Sequence, residues 1–449
     1  VSGAGDQHID PEPEFDAEFS QGSGPASPAE SVTVRRADRL RSFRIIWDSR
    51  LYRSSVIALF ISGIAVSSAN PQLALFFVND LKAPIQIAGL FYLTNIAAPV
   101  VGFLIGRYSD RISDRLRLFR FGAVVGAIGW LAMAASTQLW MPFVISLIAL
   151  SVSSAAGAQV YASIRDDLSR NPSESDTTVI STVRMSFTAG WIVGPVVGSW
   201  IGGAFGLRVL LVVVAALTVG QVVPMIGIHV KRFSASSREE PQRKLDRREL
   251  RAMLPLFAFA ALCMFALSGD TLKFAFLPLY MENVLHTPAT IRGAVIATQP
   301  IFELLLIPVA GYFAVRFGAM RVMVVGSAFG VLAHLCYAFS TNVAELFLGQ
   351  FLMSLLWGCM AGLGVNVAQR LYRQGAGVAT TTFMSATAFA STLGGLIGAL
   401  GVVPLGLPHV FFVPAVISAA AFVGLIVLSR FVGRHGSLDE LPSEWPSAK

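Results

Sequence analysis

The chain reads as an all-α integral membrane protein, with twelve transmembrane helices arranged in two pseudo-symmetric six-helix bundles. Three observations predict this: an apolar composition, twelve apolar runs of spanning length, and a charge-dense hairpin that occurs once in each half. Of the 449 residues 54% are hydrophobic and only 14% charged, with a mean hydropathy of +0.64. That is too apolar for a soluble domain of ordinary make-up.

A helix needs about 20 apolar residues to cross a bilayer. The runs that qualify are 54–78, 85–105, 118–136, 139–162, 179–204 and 207–230 in the first half. In the second half they are 252–281, 289–314, 322–340, 342–368, 377–402 and 410–431. Several contain Gly or Pro, which membrane helices tolerate when neighbours satisfy the freed backbone groups. The domain reading follows: a cytoplasmic tail 1–50, a bundle 51–230, a charged linker 231–251 expected to be partly helical, a bundle 252–432 and a tail 433–449. Residues 1–34 hold no Lys or Arg, several acids and many Ser, Gly and Pro, so they are expected to be disordered. The first span follows this long polar tail, so no cleavable signal peptide is read.

Basic residues set the orientation. With the N-terminus inside, 29 of the 34 Lys and Arg fall in inside segments and three outside, at Lys82, Arg208 and Arg292. Such a bias places both termini in the cytoplasm. The net charge of +7 then reflects topology and not nucleic-acid binding, since no basic-aromatic interleaving accompanies it. Cys263, Cys336 and Cys359 lie inside spans at no metal spacing and are expected to be reduced and buried. Neither a metal site nor a cofactor is expected. There is no phosphate-binding Gly-Lys-Ser/Thr loop and no nucleophile–base pair, so the reading is not an enzyme, and ATP is not the evident energy source.

The hairpin in the first half is Gly106-Arg107-Tyr108-Ser109-Asp110-Arg111-Ile112-Ser113-Asp114-Arg115-Leu116-Arg117. Its outline returns at 311–321, beginning at Gly311 and carrying Arg316. At an offset of 204 or 205, Gly89 meets Gly293, Gly106 meets Gly311, Arg111 meets Arg316, and Gly190 and Gly194 meet Gly394 and Gly398. Duplicated halves place substrate near the midplane and alternate access by rocking. Asp110, Arg111 and Arg115 are read as a gating latch, with Gly106, Gly311 and Arg316 as its repeat. Val315 stands where the second copy would hold the acid, so the latch is expected to be asymmetric. The alternative is that the arginines serve topology alone.

Hairpin, twelve spans and two halves resemble the major facilitator superfamily over residues 50–432. More narrowly, the chain is similar to the bacterial sugar efflux transporters. The carrying stretches are Ala88-Gly89-Leu90-Phe91-Tyr92, Val183-Arg184-Met185, Trp191-Ile192-Val193-Gly194-Pro195 and Pro278-Leu279-Tyr280. Glu303, residues 310–313 and 361–364, and Gly375 to Thr381 complete them. The resemblance implies export of sugars or glycosides across the bacterial cytoplasmic membrane by a monomer, driven by the proton gradient, so that the partners are sugar, protons and the bilayer. The long acidic tail departs from the pattern.

Charges within the spans carry the mechanism, because each costs several kcal/mol unless paired or hydrated. Glu303 sits mid-span, too deep to snorkel, and is read as the proton carrier or else as a partner for Lys273. Asp270 and Lys273, at i, i+3, are expected to pair. Arg184 lies five residues into its span, so it either snorkels to the surface or faces the cavity. Gly190, Gly194, Pro195 and Gly198 are read as a helix-packing stripe. For a sugar, amides and aromatic faces near the midplane are the candidates: Asn70, Gln72, Tyr92, Asn95, Gln159, Trp191, Gln299, Asn366 and Gln369. Some of these are expected to be interhelical hydrogen bonds instead. The overall reading is a proton-coupled sugar or glycoside exporter. An exporter of drugs or amphipathic metabolites is the alternative, and a non-transporting membrane sensor a further one.

Overall fold

Every apolar run becomes a helix, because a backbone in hydrocarbon must satisfy its own N–H and C=O groups. The computed structural model describes residues 46–170, 176–230 and 247–434. The helices are α1 (Arg50–Leu75, prolonged by a π turn Phe76–Asp80), α2 (Ile85–Ser109), α3 (Arg115–Ala134) and α4 (Trp140–Arg170). They continue with α5 (Asp176–Phe205), α6 (Leu207–Gly220), α7 (Leu254–Asn283), α8 (Ala289–Phe317) and α9 (Ala319–Phe339). The last are α10 (Val343–Leu371), α11 (Ala376–Leu405) and α12 (Phe412–Arg434).

Among the described residues eleven of these are long and apolar enough to cross a membrane by length and composition. α5, with 30 residues, has the length of the twelfth. Several helices run past their apolar runs at the hairpin end; α4 reaches Arg170 although its run stops at 162. The linker ends in a short helix, Arg247–Ala252, as expected. The acidic tail, residues 231–246 and residues 435–449 lie outside the described residues. Cys263 is buried, but Cys336 and Cys359 are only half-buried, and all three are free thiols.

Helix pairing repeats between the halves. α1 packs on α5 and α6, α3 on α4 and α6, and α2 on α4. In the second half α7 packs on α11 and α12, α9 on α10 and α12, and α8 on α10. Across the halves α5 meets α8, α2 meets α11, and α1 meets α7, so the swap of halves preserves each of these pairings.

Small residues make the closest of these approaches. A Cβ on Gly190 would lie 2.5 Å from the Phe60 carbonyl oxygen, one on Gly194 1.8 Å from Ser67 Oγ, and one on Gly198 2.4 Å from the Ser68 carbonyl oxygen. The Gly190–Gly198 stripe therefore packs α5 on α1. Its repeat packs α11 on α7, where a Cβ on Gly394 would sit 1.9 Å from the Ser268 carbonyl oxygen. Between the halves, Gly89 abuts the Gly395 carbonyl and Gly293 the Pro195 carbonyl, each with room for no side chain (2.7 Å in both cases).

These inter-half contacts gather at the end away from the hairpins. There Asn79 Nδ2 donates to Glu282 Oε1 (2.8 Å), joining α1 to α7. α11 packs along residues 85–96 of α2, whereas Val100, Phe103, Leu104 and Tyr108 further along α2 are mostly exposed. Apart from the adjoining turns of its own helix, nothing among the described residues comes within 4 Å of a Cβ built on Gly102, Gly106 or Gly311.

Gly198→Ala is expected to destabilise by about 1–3 kcal/mol, the usual cost of overpacking, while Gly102→Ala is expected to be neutral or slightly stabilising. Apparent unfolding temperatures of the two variants in detergent check this; equal effects would contradict the packing described.

Candidate functional site: a central cavity between the halves

Two irregular segments shape the wall of the first half. The middle of α2, Phe91–Ile96, is a 3₁₀ stretch, and Ser146–Leu150 of α4 is a π stretch. Such interruptions are concentrated at functional positions. They are tied together by Thr94 Oγ1 and Ser146 Oγ at 2.8 Å. Tyr92 and Asn95 project from the 3₁₀ stretch; Tyr92 donates to the Asn70 carbonyl (3.2 Å), and Asn95 Nδ2 donates to Ser391 Oγ of α11 (2.6 Å), a second bond between the halves.

Together these walls enclose a cavity of about 590 Å³ lined from both halves. Its first-half lining includes Asn70, Tyr92, Thr94, Asn95, Ser146, Ser154, Tyr161 and Trp191. Asp270, Thr271, Phe274, Trp357, Thr387 and Ser391 line it from the second half. A lobe of about 260 Å³ shares Phe187, Trp191, Asp270, Phe274 and Trp357 with the main cavity and adds Thr188, Gln299 and Glu303. The indole N–H groups of Trp191 and Trp357 have no acceptor among the described residues.

The charged cluster sits in this lobe. Lys273, on α7, is fully buried. Its Nζ donates to Asp270 Oδ1 at 2.6 Å and to Gln299 Oε1, and lies 4.4 Å from the Phe274 ring centroid. The expected i, i+3 pair is therefore formed. Glu303 is not Lys273's partner: no hydrogen bond or ion pair joins its carboxylate to the described residues. It stands four residues from Gln299 on α8, hence on the same helix face and one turn away. Arg184 is exposed.

Of the nine amide and aromatic candidates, Asn70, Tyr92, Asn95, Trp191 and Gln299 line the cavity or its lobe. The other four do not. Gln72 is buried and bonds Ser199 Oγ (2.7 Å), joining α1 to α5. Gln159 accepts from Ser109 Oγ (2.5 Å) near the hairpin. Asn366 is exposed and accepts from Arg370 (3.0 Å), and Gln369 joins α10 to α11 through Thr380 (2.9 Å). These are bonds within a half, the role that interhelical polar groups commonly fill. Trp357, Tyr161, Thr387 and Ser391 were not among the candidates. Trp357, an indole in the middle of a span, is the one with a signal readable in sequence.

The hairpin forms a network around Arg115. Its guanidinium pairs with Asp166 (2.8 Å) and Asp110 (3.2 Å) and donates to Ser109 Oγ (2.9 Å), while Asp114 caps the start of α3 through Leu116 N–H (3.1 Å). These partners all belong to the first half, so the network braces α2, α3 and α4 against one another. Among the described residues Arg111 takes no part in this network, and Arg316 lies over the Phe317 ring (5.5 Å). Tyr52 Oη donates to Asp167 (2.7 Å), fastening α1 to the same end of α4.

Removing one partner of a buried pair leaves a bare charge, which costs about 3–5 kcal/mol. Asp270→Asn is therefore expected to lower the unfolding temperature in detergent more than the double variant Asp270→Asn/Lys273→Met. A double variant less stable than the single would contradict the pairing.

Comparison with known proteins agrees with this architecture. Over 335 residues the chain is 26% identical to sugar efflux transporter B of Salmonella typhimurium, covering 73% of this chain and 83% of the relative. It is 22% identical over 365 residues to the multi-drug resistance efflux pump PmrA of Streptococcus pneumoniae, covering 79% and 88%. The crystal structure of nucleoside transporter NupG superposes with a TM-score of 0.70 at 18% identity, covering 86% of this chain and 99% of that one, which is likeness of fold. The Major Facilitator Superfamily profile matches residues 55–289 and 258–444, spanning both halves and the cavity between them; the chain belongs to that superfamily.

Proposed function

We propose that the protein exports sugars or glycosides in exchange for protons, by alternating exposure of the central cavity. The observation that carries the reading is the lobe: a carboxylate without a partner, Glu303, one turn from Gln299, which shares the buried Lys273 with Asp270. An acid so placed has a reason to be there if it gains and loses a proton.

Charge balance gives the cycle. Lys273 is a buried ammonium and needs a carboxylate at hand. With Asp270 ionised the pair is closed, as here. Loss of the Glu303 proton draws Lys273 one turn along α8 to the bare carboxylate and leaves Asp270 as a free acceptor facing the cavity, whereas protonation of Glu303 returns Lys273 to Asp270. Substrate held against Asp270 in one state is thereby released in the other, so proton and substrate alternate. Trp191 and Trp357 supply ring faces and N–H donors, and Asn70, Asn95 and the Ser and Thr residues supply hydroxyl partners, a lining suited to a sugar. Packing of the halves at the end away from the hairpins is consistent with a cavity that opens toward the hairpins. By the distribution of basic residues that side is cytoplasmic, and both termini lie there.

Phe187, Phe274 and Pro300 give the lobe an apolar side, which favours an amphipathic cargo as a second reading.

Labelled lactose and a labelled glucoside, offered to inverted vesicles with an imposed proton gradient, test the proposal. Gradient-driven uptake is expected for the wild type and its loss, by about tenfold or more (on the order of 10²–10⁴ for a lost proton-transfer group), for Glu303→Gln. Uptake unchanged in Glu303→Gln would remove Glu303 from the coupling. No uptake of either sugar by correctly inserted wild type, with transport of an amphipathic dye, would replace the first reading by the second.

A further inference from the structure

The two halves treat the same corner differently. In the first half the start of α3 is crowded by carboxylates: Asp114 caps the helix, and Asp110 and Asp166 neutralise Arg115. In the second half the corresponding corner, where α8 turns into α9, holds no acid among the described residues. Gly318 stands at the helix cap with φ +90°, a conformation that glycine adopts without strain. Val315 replaces Asp110, and Arg370, on the helix beside the corner, occupies the place that Asp166 fills in the first half.

What results is a cleft of about 70 Å³ lined by Gly318, Ala319, Arg321, Arg370 and Ser429. No side chain of the described residues caps α9, so among them its first N–H groups have no partner and carry the positive end of the helix dipole. Arg321 makes no hydrogen bond or ion pair with the described residues, and Arg370 bonds only the neutral Asn366 amide (3.0 Å). Two guanidinium groups and a helix start converge where the other half supplies carboxylates. The rim carries exposed Phe317, apolar surface at the end of the spans, where acyl chains and headgroups meet.

We infer that this cleft binds the phosphate of an anionic phospholipid, which does for the second half what Asp110, Asp114 and Asp166 do for the first. Arginine suits the role because its planar fork matches two phosphate oxygens. The size of the cleft admits one compact oxyanion and not a large metabolite.

Native mass spectrometry of the detergent-purified full chain tests this, with phosphatidylglycerol, phosphatidylcholine and inorganic phosphate as probes. Wild type is expected to retain phosphatidylglycerol in preference to phosphatidylcholine, and Arg321→Gln/Arg370→Gln to bind it about tenfold or more weakly, the size of a lost charge-assisted bond. Arg321→Lys should retain part of the preference, and Arg117→Gln, at the first-half hairpin, all of it. A preference that survives the double Gln variant, or that Arg117→Gln weakens equally, would overturn the site. Inorganic phosphate competing as well as the lipid would overturn the lipid as its occupant. So would a preference seen only after Asp439→Asn/Glu440→Gln, which would make carboxylates of the chain itself the occupant.

Discussion

The structure depends on backbone meeting backbone at one end of the molecule. Gly89 against Gly395 and Gly293 against Pro195 leave no room for a side chain, and the halves are thereby held together away from the hairpins. In hydrocarbon there is no hydrophobic drive for helices to associate, so close contact between small residues and interhelical hydrogen bonds must supply it. Everything else follows from where those contacts stop. Past them α2 turns its apolar residues outward, and the space between the halves becomes the cavity.

Within that frame the polar residues divide by which neighbour they face. Bonds inside a half, such as Gln72 to Ser199 and Arg115 to Asp166, make each bundle a rigid body. The bonds from Asn79 to Glu282 and from Asn95 to Ser391 cross between bodies. Rocking of the halves would leave the first group intact and break the second. The buried Lys273 cluster stands at the junction, with its partners on α7 and α8 of one half and its lobe completed by α5 of the other. A change of charge there is therefore felt by both bodies.

Duplication made the halves alike in packing but not in charge. The main helix pairings survive the swap of halves, and glycine positions that allow close approach, such as Gly190 and Gly194 with Gly394 and Gly398, are repeated. The hairpin corners have diverged, one closed by its own carboxylates and the other lined by arginines at a helix start that no described side chain caps. Packing constrains a position from all sides, whereas a charge at the membrane surface needs only some counter-charge, from the chain or from outside it.

The sequence by itself determined that the chain spans a membrane, how many times, and where the halves repeat. Span length and the rule against unsatisfied backbone in hydrocarbon are local properties, readable from composition in a window. It also exposed Asp270, Lys273 and Glu303, since mid-span charges are rare enough to count, but that Lys273 pairs with Asp270 and not with Glu303 came from the structure. What the tertiary structure alone decided is which face of each helix meets the cavity. Asn70 lines it while Gln72, about 200° further round α1 at about 3.6 residues per turn, bonds α5. Tyr161 lines it while Gln159 serves the hairpin. A helix apolar on every side, facing lipid, partner helix and cavity in turn, carries no amphipathic stripe to announce its phase, so the facing of a polar residue is settled only when its neighbours are in place.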